Sequence, residues 1–176
     1  SELARVLIQF PISELSGKIY SEKTIPSGNV SYYLKIFNML HGDTVPTSYD
    51  LFVFPLTRSW DEGSGVELSY LDTGYSSWIS ASSVSGWLAT GSDYISNISA
   101  SQHFDRGLED LEVDVTPIVN AWLTGNLTNN GLLVKLGNTE ETNNVDYFIK
   151  NFHGKESKYV EKLPYLEARY NNVVKD

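Results

Sequence analysis

One stretch near the middle of the chain, LEVDVTPIVNAWLTGNLTNNGLLVKL at residues 111–136, constrains the possible fold most. Its first residues alternate between apolar and acidic, which is typical of a half-buried strand. Thr116 is a suitable N-cap, and Pro117 suits the first position of a helix. The apolar spacing that follows predicts a short helix at residues 117–124 with Trp122 on its buried side. A two-residue period then resumes and predicts a second strand.

The rest of the chain is divided into short segments by turn residues. Strand character is found at residues 5–10, 18–25, 30–39, 49–56, 67–71, 94–99, 147–152 and 165–170. Many short strands with turns between them predict an all-β fold, an antiparallel β-sandwich or jelly roll with one short helix. We expect the 111–136 unit to plug one end of the sandwich, with Trp122 sealing the gap between the sheets.

Composition limits the classes of partner. The net charge is −9 and the pI is about 4.7, which argues against a nucleic-acid partner because such a partner favours a basic face. No run of about 18 apolar residues occurs, so we expect no membrane partner. The chain contains no cysteine, which excludes a disulfide framework and thiolate metal sites.

Catalytic motifs are not found in the sequence. The three histidines, at positions 41, 103 and 153, do not have the spacing of a zinc site, and no Gly-x-Ser-x-Gly element occurs. Asp61 and Glu62 could supply one carboxylate of a glycosidase pair, but neighbours on a strand point in opposite directions. We therefore expect a protein that is not an enzyme.

Three acidic residues, Asp110, Glu112 and Asp114, share one face of the predicted strand. Because Ca²⁺ prefers several oxygen ligands, this face could bind Ca²⁺. The alternative is a solvated strand face, and apart from this Ca²⁺ candidate we expect no cofactor.

The tryptophans divide into two groups. Trp122 is predicted to be in the core, whereas Trp60, Trp78 and Trp87 lie near loops that are rich in glycine and serine. Exposed aromatic rings can stack on the faces of sugars, so these three residues are candidates for glycan binding. The alternative is that they are buried plugs of their loops. The lysines at 150, 155, 158 and 162 could meet an acidic polysaccharide or an acidic partner, or belong to a solvated hairpin.

Six motifs occur in an order that resembles the DNRLRE-type domain, a β-sandwich module also classed among carbohydrate-binding modules. They are RVLIQF at 5–10, WDEG at 60–63, GW at 86–87 with GSD at 91–93, DVT at 114–116 with Val119, NGLL at 130–133, and PYLE at 164–167. The resemblance covers nearly the whole chain and implies a single domain over residues 1–176.

The resemblance also implies a role for Asp114, which would anchor the corner by a side-chain bond to backbone N–H groups.

The chain departs from the family's pattern in two places. The family's usual first segment is not found before residues 5–10, and Pro11 stands where the family commonly has Asp. We therefore expect a fragment that lacks its N-terminal segment.

The closing residues 167–176 resemble the versions of this module in tailed-phage structural proteins. This resemblance implies a non-catalytic structural or attachment component of a virion, which acts by assembly with copies of itself or with other virion proteins. The alternative is an extracellular carbohydrate-binding module of a secreted enzyme that degrades a polysaccharide. No nucleic acid and no membrane is expected as a partner in either case.

Overall fold

The fold is all-β, as predicted, and consists mainly of antiparallel sheets. We describe residues 3–63, 75–145 and 149–171 of a computed structural model. The larger sheet has the order β1-β8-β3-β6, made of Val6–Ile8, Leu132–Leu136, Tyr49–Pro55 and Ala100–Phe104. The second sheet has the order β7-β2-β9, made of Leu111–Asp114, Ser31–Ile36 and Tyr165–Arg169. A separate hairpin pairs β4, Ser80–Ser82, with β5, Ser85–Gly86.

The two sheets share one hydrophobic core. Along β2 the buried residues alternate with partly exposed ones, and Tyr32, Leu34 and Ile36 are on the inner face. In the other sheet, Leu51 and Val53 of β3 belong to the same buried cluster. One face of each sheet therefore packs in the core. The other face is exposed to solvent or covered by loops.

The described residues contain more helical turns than the one short helix that the sequence predicts. The predicted helix is present as α2, Thr116–Leu123. The additional turns are α1, Ser13–Ser16, which continues into a π-helical turn at Gly17–Ser21, α3, Asn138–Thr142, and a 3₁₀ turn at Val160–Lys162.

The strand predicted at 18–25 is wrong, because this segment begins in the helical turns that follow residue 12. Ile12, Leu15 and Ile19 are three and four residues apart, which places them on one helical face, and they pack against the core. The strand predicted at 94–99 lies further along the chain, as β6, and Tyr94 forms only an isolated bridge with Leu56. The strand predicted at 67–71 and the start of the one at 147–152 lie outside the described residues.

Candidate functional site

The three tryptophans that the sequence singles out as glycan candidates lie around one cleft. Trp60, Trp78 and Trp87 line a cleft of about 440 Å³ together with residues of the first strand and of the loop at 91–92. Its volume is within the range of about 300–1,000 Å³ that is usual for ligand sites. We call it the tryptophan cleft.

Two of these tryptophans are held by their indole N–H groups. Trp60 Nε1 donates to the carbonyl oxygen of Asn130 at 2.9 Å, and Trp87 Nε1 donates to that of Ser77 at 2.8 Å. Trp87 is buried, so it acts at least partly as a plug of its loop, whereas Trp60 and Trp78 are half-buried. The cleft therefore has fixed aromatic walls, and parts of two rings remain accessible.

Arg5 forms another side of the tryptophan cleft. Its guanidinium carbon lies 4.7 Å from the ring centre of Trp78, and Nη1 donates to the carbonyl oxygen of Gly91 at 2.5 Å. Gly91 has φ +88°, and a Cβ there would lie 2.5 Å from Arg5 Nη1. Only glycine allows the backbone to approach the guanidinium so closely in this conformation.

A buried carboxylate neutralises Arg5. Glu141, on α3, accepts hydrogen bonds from Arg5 Nε at 3.0 Å and from Nη2 at 2.6 Å. The same carboxylate lies 3.1 Å from Nζ of Lys135, which is itself almost fully buried and donates to Asn138 Oδ1. This bidentate pairing fixes the orientation of the guanidinium and neutralises its charge within the protein.

Ser92 is a buried polar residue in the wall of the tryptophan cleft. It is 3% exposed and has φ +104°, an unusual conformation for a residue other than glycine. Its hydroxyl makes no hydrogen bond with any residue that the structure describes. Strain and an unsatisfied hydroxyl at the same residue are features that cluster at ligand sites.

An apolar hairpin lies next to the tryptophan cleft in sequence and is defined by residues 79–88, which include β4 and β5. Ile79, Val84 and Leu88 are 68%, 92% and 86% exposed. The loop at its end is fixed by Asp93, whose carboxylate accepts from the backbone N–H groups of residues 88 and 89, each at 2.9 Å. The hairpin is thus held in place while its large apolar side chains face solvent.

The acidic residues proposed as Ca²⁺ ligands are used in other contacts. Asp110 accepts from the Asn38 N–H at 2.8 Å and lies 3.2 Å from Nζ of Lys35. Glu112 lies 3.1 Å from the same ammonium group and 2.6 Å from Nη2 of Arg169. No cluster of three or more possible metal ligands occurs among residues 3–63, 75–145 and 149–171. The donor set therefore does not fit a Ca²⁺ site.

These contacts also lower the pKa values of Asp110 and Glu112. Partial burial raises the pKa of Asp110, but the Asn38 N–H and the Lys35 ammonium outweigh it, so the pKa lies below its usual value. The hydrogen bonds from Arg169 and Lys35 lower the pKa of Glu112. Both groups are thus ion-paired carboxylates of a partly solvated face.

Asp114 has a different role from the other two acidic residues. Its Oδ1 accepts hydrogen bonds from the N–H of Thr116 at 2.9 Å and from the hydroxyl of Thr116 at 2.5 Å. This is the corner bond that the resemblance implies.

The prediction of Thr116 as N-cap is wrong, because Val115 is at that position and Thr116 is the first helical residue. The Thr116 hydroxyl instead accepts from the Tyr32 N–H at 2.8 Å and so binds α2 to β2.

Trp122 belongs to the core, as predicted from the helical spacing. It is 6% exposed and lies in the buried cluster that also contains side chains of both sheets. Its Nε1 is buried without a hydrogen-bond partner among the described residues. Packing, rather than hydrogen bonding, therefore holds this indole.

Three of the four lysines of residues 150–162 make separate contacts within the protein. Lys150 points inward and donates to the side chain of Asn38 and to two backbone carbonyl groups, and burial lowers its pKa to about 8. Lys155 lies 2.6 Å from Glu62. Lys162 lies over the ring of Phe37, with Nζ 4.8 Å from the ring centre.

Sequence reasoning did not find three residues that organise the site: Arg5, Glu141 and Ser92. Arg5 lies in the predicted first strand and Ser92 in the Gly-Ser-Asp motif at 91–93, and no local signal marks Glu141. Their importance comes from contacts between distant parts of the chain, since Arg5 and Glu141 are 136 residues apart.

Comparison of the chain with protein-family models, curated protein sequences and solved structures gives no match. The resemblance to the DNRLRE-type domain therefore stays a prediction. Among the residues described, no helix combines the length and the apolar character that crossing a lipid bilayer requires.

Proposed function

We propose that the chain is a non-catalytic structural or attachment component of a phage virion, which acts by protein–protein assembly. The observation that carries the proposal is the apolar hairpin, residues 79–88. Three large apolar side chains, each more than two-thirds exposed, lie on one short hairpin. Contiguous exposed apolar surface marks interaction sites in proteins, and we propose that these three side chains together form such a surface.

Edge strands offer a second means of assembly. Among the described strands, β1 and β9 are outer strands of the two sheets, whereas the outer strands β6 and β7 lie against each other, with the Gln102 side chain bonded to the backbone of residues 110 and 112. An outer strand leaves N–H and C=O groups that can pair with another chain. The virion setting itself comes from the resemblance of the closing residues, and copies of this chain or other virion proteins are the partners that we propose.

Incorporation into particles tests this function. We expect the wild-type chain to be recovered in purified particles and the double variant Val84→Asp with Leu88→Asp to be lost from them, with each quantified by mass spectrometry. Val160→Asp is the matched control, since Val160 is 78% exposed on a different element. Recovery of the double variant at the wild-type level, or failure to find the wild-type chain in particles, would contradict the proposal.

The second candidate function is that of an extracellular carbohydrate-binding module, cut from a secreted enzyme that degrades a polysaccharide. The observation that favours it is the convergence of Trp60, Trp78 and Trp87 on one cleft. Retention on polysaccharide columns tests this candidate, and we expect Trp78→Ala to reduce the retention. A column series that retains neither the wild-type chain nor the variant excludes it.

A further inference from the structure

We infer that the tryptophan cleft binds a neutral sugar ring rather than an anionic one, and that the Ser92 hydroxyl contacts this ligand. The inference rests on the second candidate function and specifies its substrate class. It follows from the character of the walls, the state of Arg5 and the conformation of Ser92.

The walls of the cleft match a ring with one apolar face and several hydroxyl groups. Trp60 and Trp78 are half-buried and supply flat apolar surface. Ser76 adds a polar residue to the same cleft, whereas the hydroxyl of Ser77, which also lines it, is already engaged in hydrogen bonds within residues 77–80. Pyranose rings combine C–H faces with equatorial hydroxyl groups, so they can use both kinds of surface, as ligand sites commonly do.

The charges of the protein favour a neutral sugar over an acidic one. Arg5 is the ionisable side chain among the described residues that line the cleft. Its guanidinium already donates two hydrogen bonds to the Glu141 carboxylate and one to the carbonyl oxygen of Gly91. A uronate would have to compete with Glu141 for this cation, and the net charge of −9 opposes its approach. A neutral sugar meets neither obstacle.

Ser92 gives the site an unused polar group. Its hydroxyl is buried behind the surface of the cleft without a partner among the described residues, so the proposed contact requires the Ser92 side chain to turn toward the ligand. Leaving a buried hydroxyl unpaired costs free energy, and a left-handed backbone conformation adds to that cost. Glycine at this position would avoid both costs, so a serine here is explained by a contact that forms when the ligand binds.

Titration of the whole chain with matched neutral and acidic probes tests the inference. The probes are neutral hexasaccharides of glucose, mannose and xylose, and a hexamer of uronic acid, followed by tryptophan fluorescence and calorimetry up to about 1 mM. We expect a neutral hexasaccharide to bind and the uronate hexamer to bind more weakly. Trp78→Ala should weaken the binding at least about tenfold.

Two variants of Ser92 separate a ligand contact from a structural role. Ser92→Ala and Ser92→Gly both remove the hydroxyl, but only glycine relieves the backbone strain. We expect both variants to weaken neutral-sugar binding about three- to tenfold, since that is the usual effect of one lost hydrogen bond. Trp122→Phe, a substitution in the core, is the control and should leave the binding unchanged.

The possible failures are distinguishable. Tighter binding of the uronate hexamer, sensitive to Trp78→Ala, would overturn the neutral preference while the carbohydrate-binding function stands. Unchanged binding in both Ser92 variants would overturn the role of this hydroxyl. If no probe binds, the inference and the second candidate function both fail, and the proposed assembly function is unaffected.

Discussion

The corner unit, residues 111–136, and the region around the tryptophan cleft both depend on tryptophan, but they hold it by different means. Trp122 of the corner unit is surrounded by core side chains, and its N–H has no partner among the described residues. Trp60 and Trp87 are held instead through hydrogen bonds to backbone carbonyl groups. Beside the cleft, Val84 and Leu88 face solvent although they are apolar.

This contrast indicates that the corner unit stabilises the fold and that the cleft region is available for interaction. Burial of apolar surface contributes most of the free energy of folding, and the corner unit buries its apolar side chains. The cleft region keeps its shape through an ion pair and backbone contacts, and it leaves apolar surface uncovered. We therefore expect substitutions in the corner unit to change stability, and those at the cleft and the apolar hairpin to change binding.

The largest expected effect is that of Trp122→Ala. Because this substitution leaves a cavity in the core, we expect the free energy of unfolding to fall by about 3–5 kcal/mol. Denaturant titration measures it, and Trp122→Phe should cost clearly less because it keeps most of the apolar volume. A loss below about 1 kcal/mol would remove Trp122 from its role in the core.

A smaller loss is expected for Glu141→Gln, which removes the charge that joins Arg5 to Lys135. Both cations are largely buried, so we expect destabilisation by about 3 kcal/mol together with altered fluorescence of the cleft tryptophans. The neighbouring Glu140→Gln is the matched control and should stay within about 0.5 kcal/mol of the wild type. Equal effects of the two variants would show that the ion pair does not hold the cleft.

The acidic face of β7 should make stability depend on pH. The pKa values of Asp110 and Glu112 are lowered in the folded chain, so the unfolded chain binds more protons as the pH falls. Their contribution is present above the ordinary values of 3.8 and 4.5 and is lost as the pH falls through the lowered values. Denaturant titrations at several acidic pH values measure this, and Asp110→Asn with Glu112→Gln should flatten the profile. An unchanged profile would show that these ion pairs contribute nothing.

The smallest expected effect is a gain in stability. We expect Ser92→Gly to raise the free energy of unfolding by about 0.5–1 kcal/mol, because relief of strain exceeds the entropy cost of glycine. Thermal and denaturant unfolding measure the change, with Ser92→Ala as the control that keeps the strain. A loss of stability in the glycine variant would mean that Ser92 supports the fold. The cleft region would then contribute to stability, as the corner unit does.

Sequence reasoning predicted the corner unit well because its signals are local. Alternation in β7, helical spacing around Trp122 and the two-residue period of β8 all lie within 26 residues and agree with one another. The sequence predicts a strand at 18–25 instead of helical turns because the apolar residues there also fit a strand over a short distance.

The tryptophan cleft could be predicted only in part. Its aromatic residues are conspicuous in loops, but no local pattern places Trp60 beside Trp78. The cleft also requires Arg5, Gly91 and Glu141 to meet, and such contacts arise from the packing of sheets and loops that are distant in sequence. A periodicity within a short window carries no information about them.

Hydroxyl-radical footprinting of the free chain and of the chain within purified particles tests the central claim most directly. The account predicts that Ile79, Val84 and Leu88 are strongly labelled in the free chain and protected in particles. Trp122 should be weakly labelled in both states, because it is buried in the core. Equal labelling of the apolar hairpin in the two states would contradict assembly through this surface.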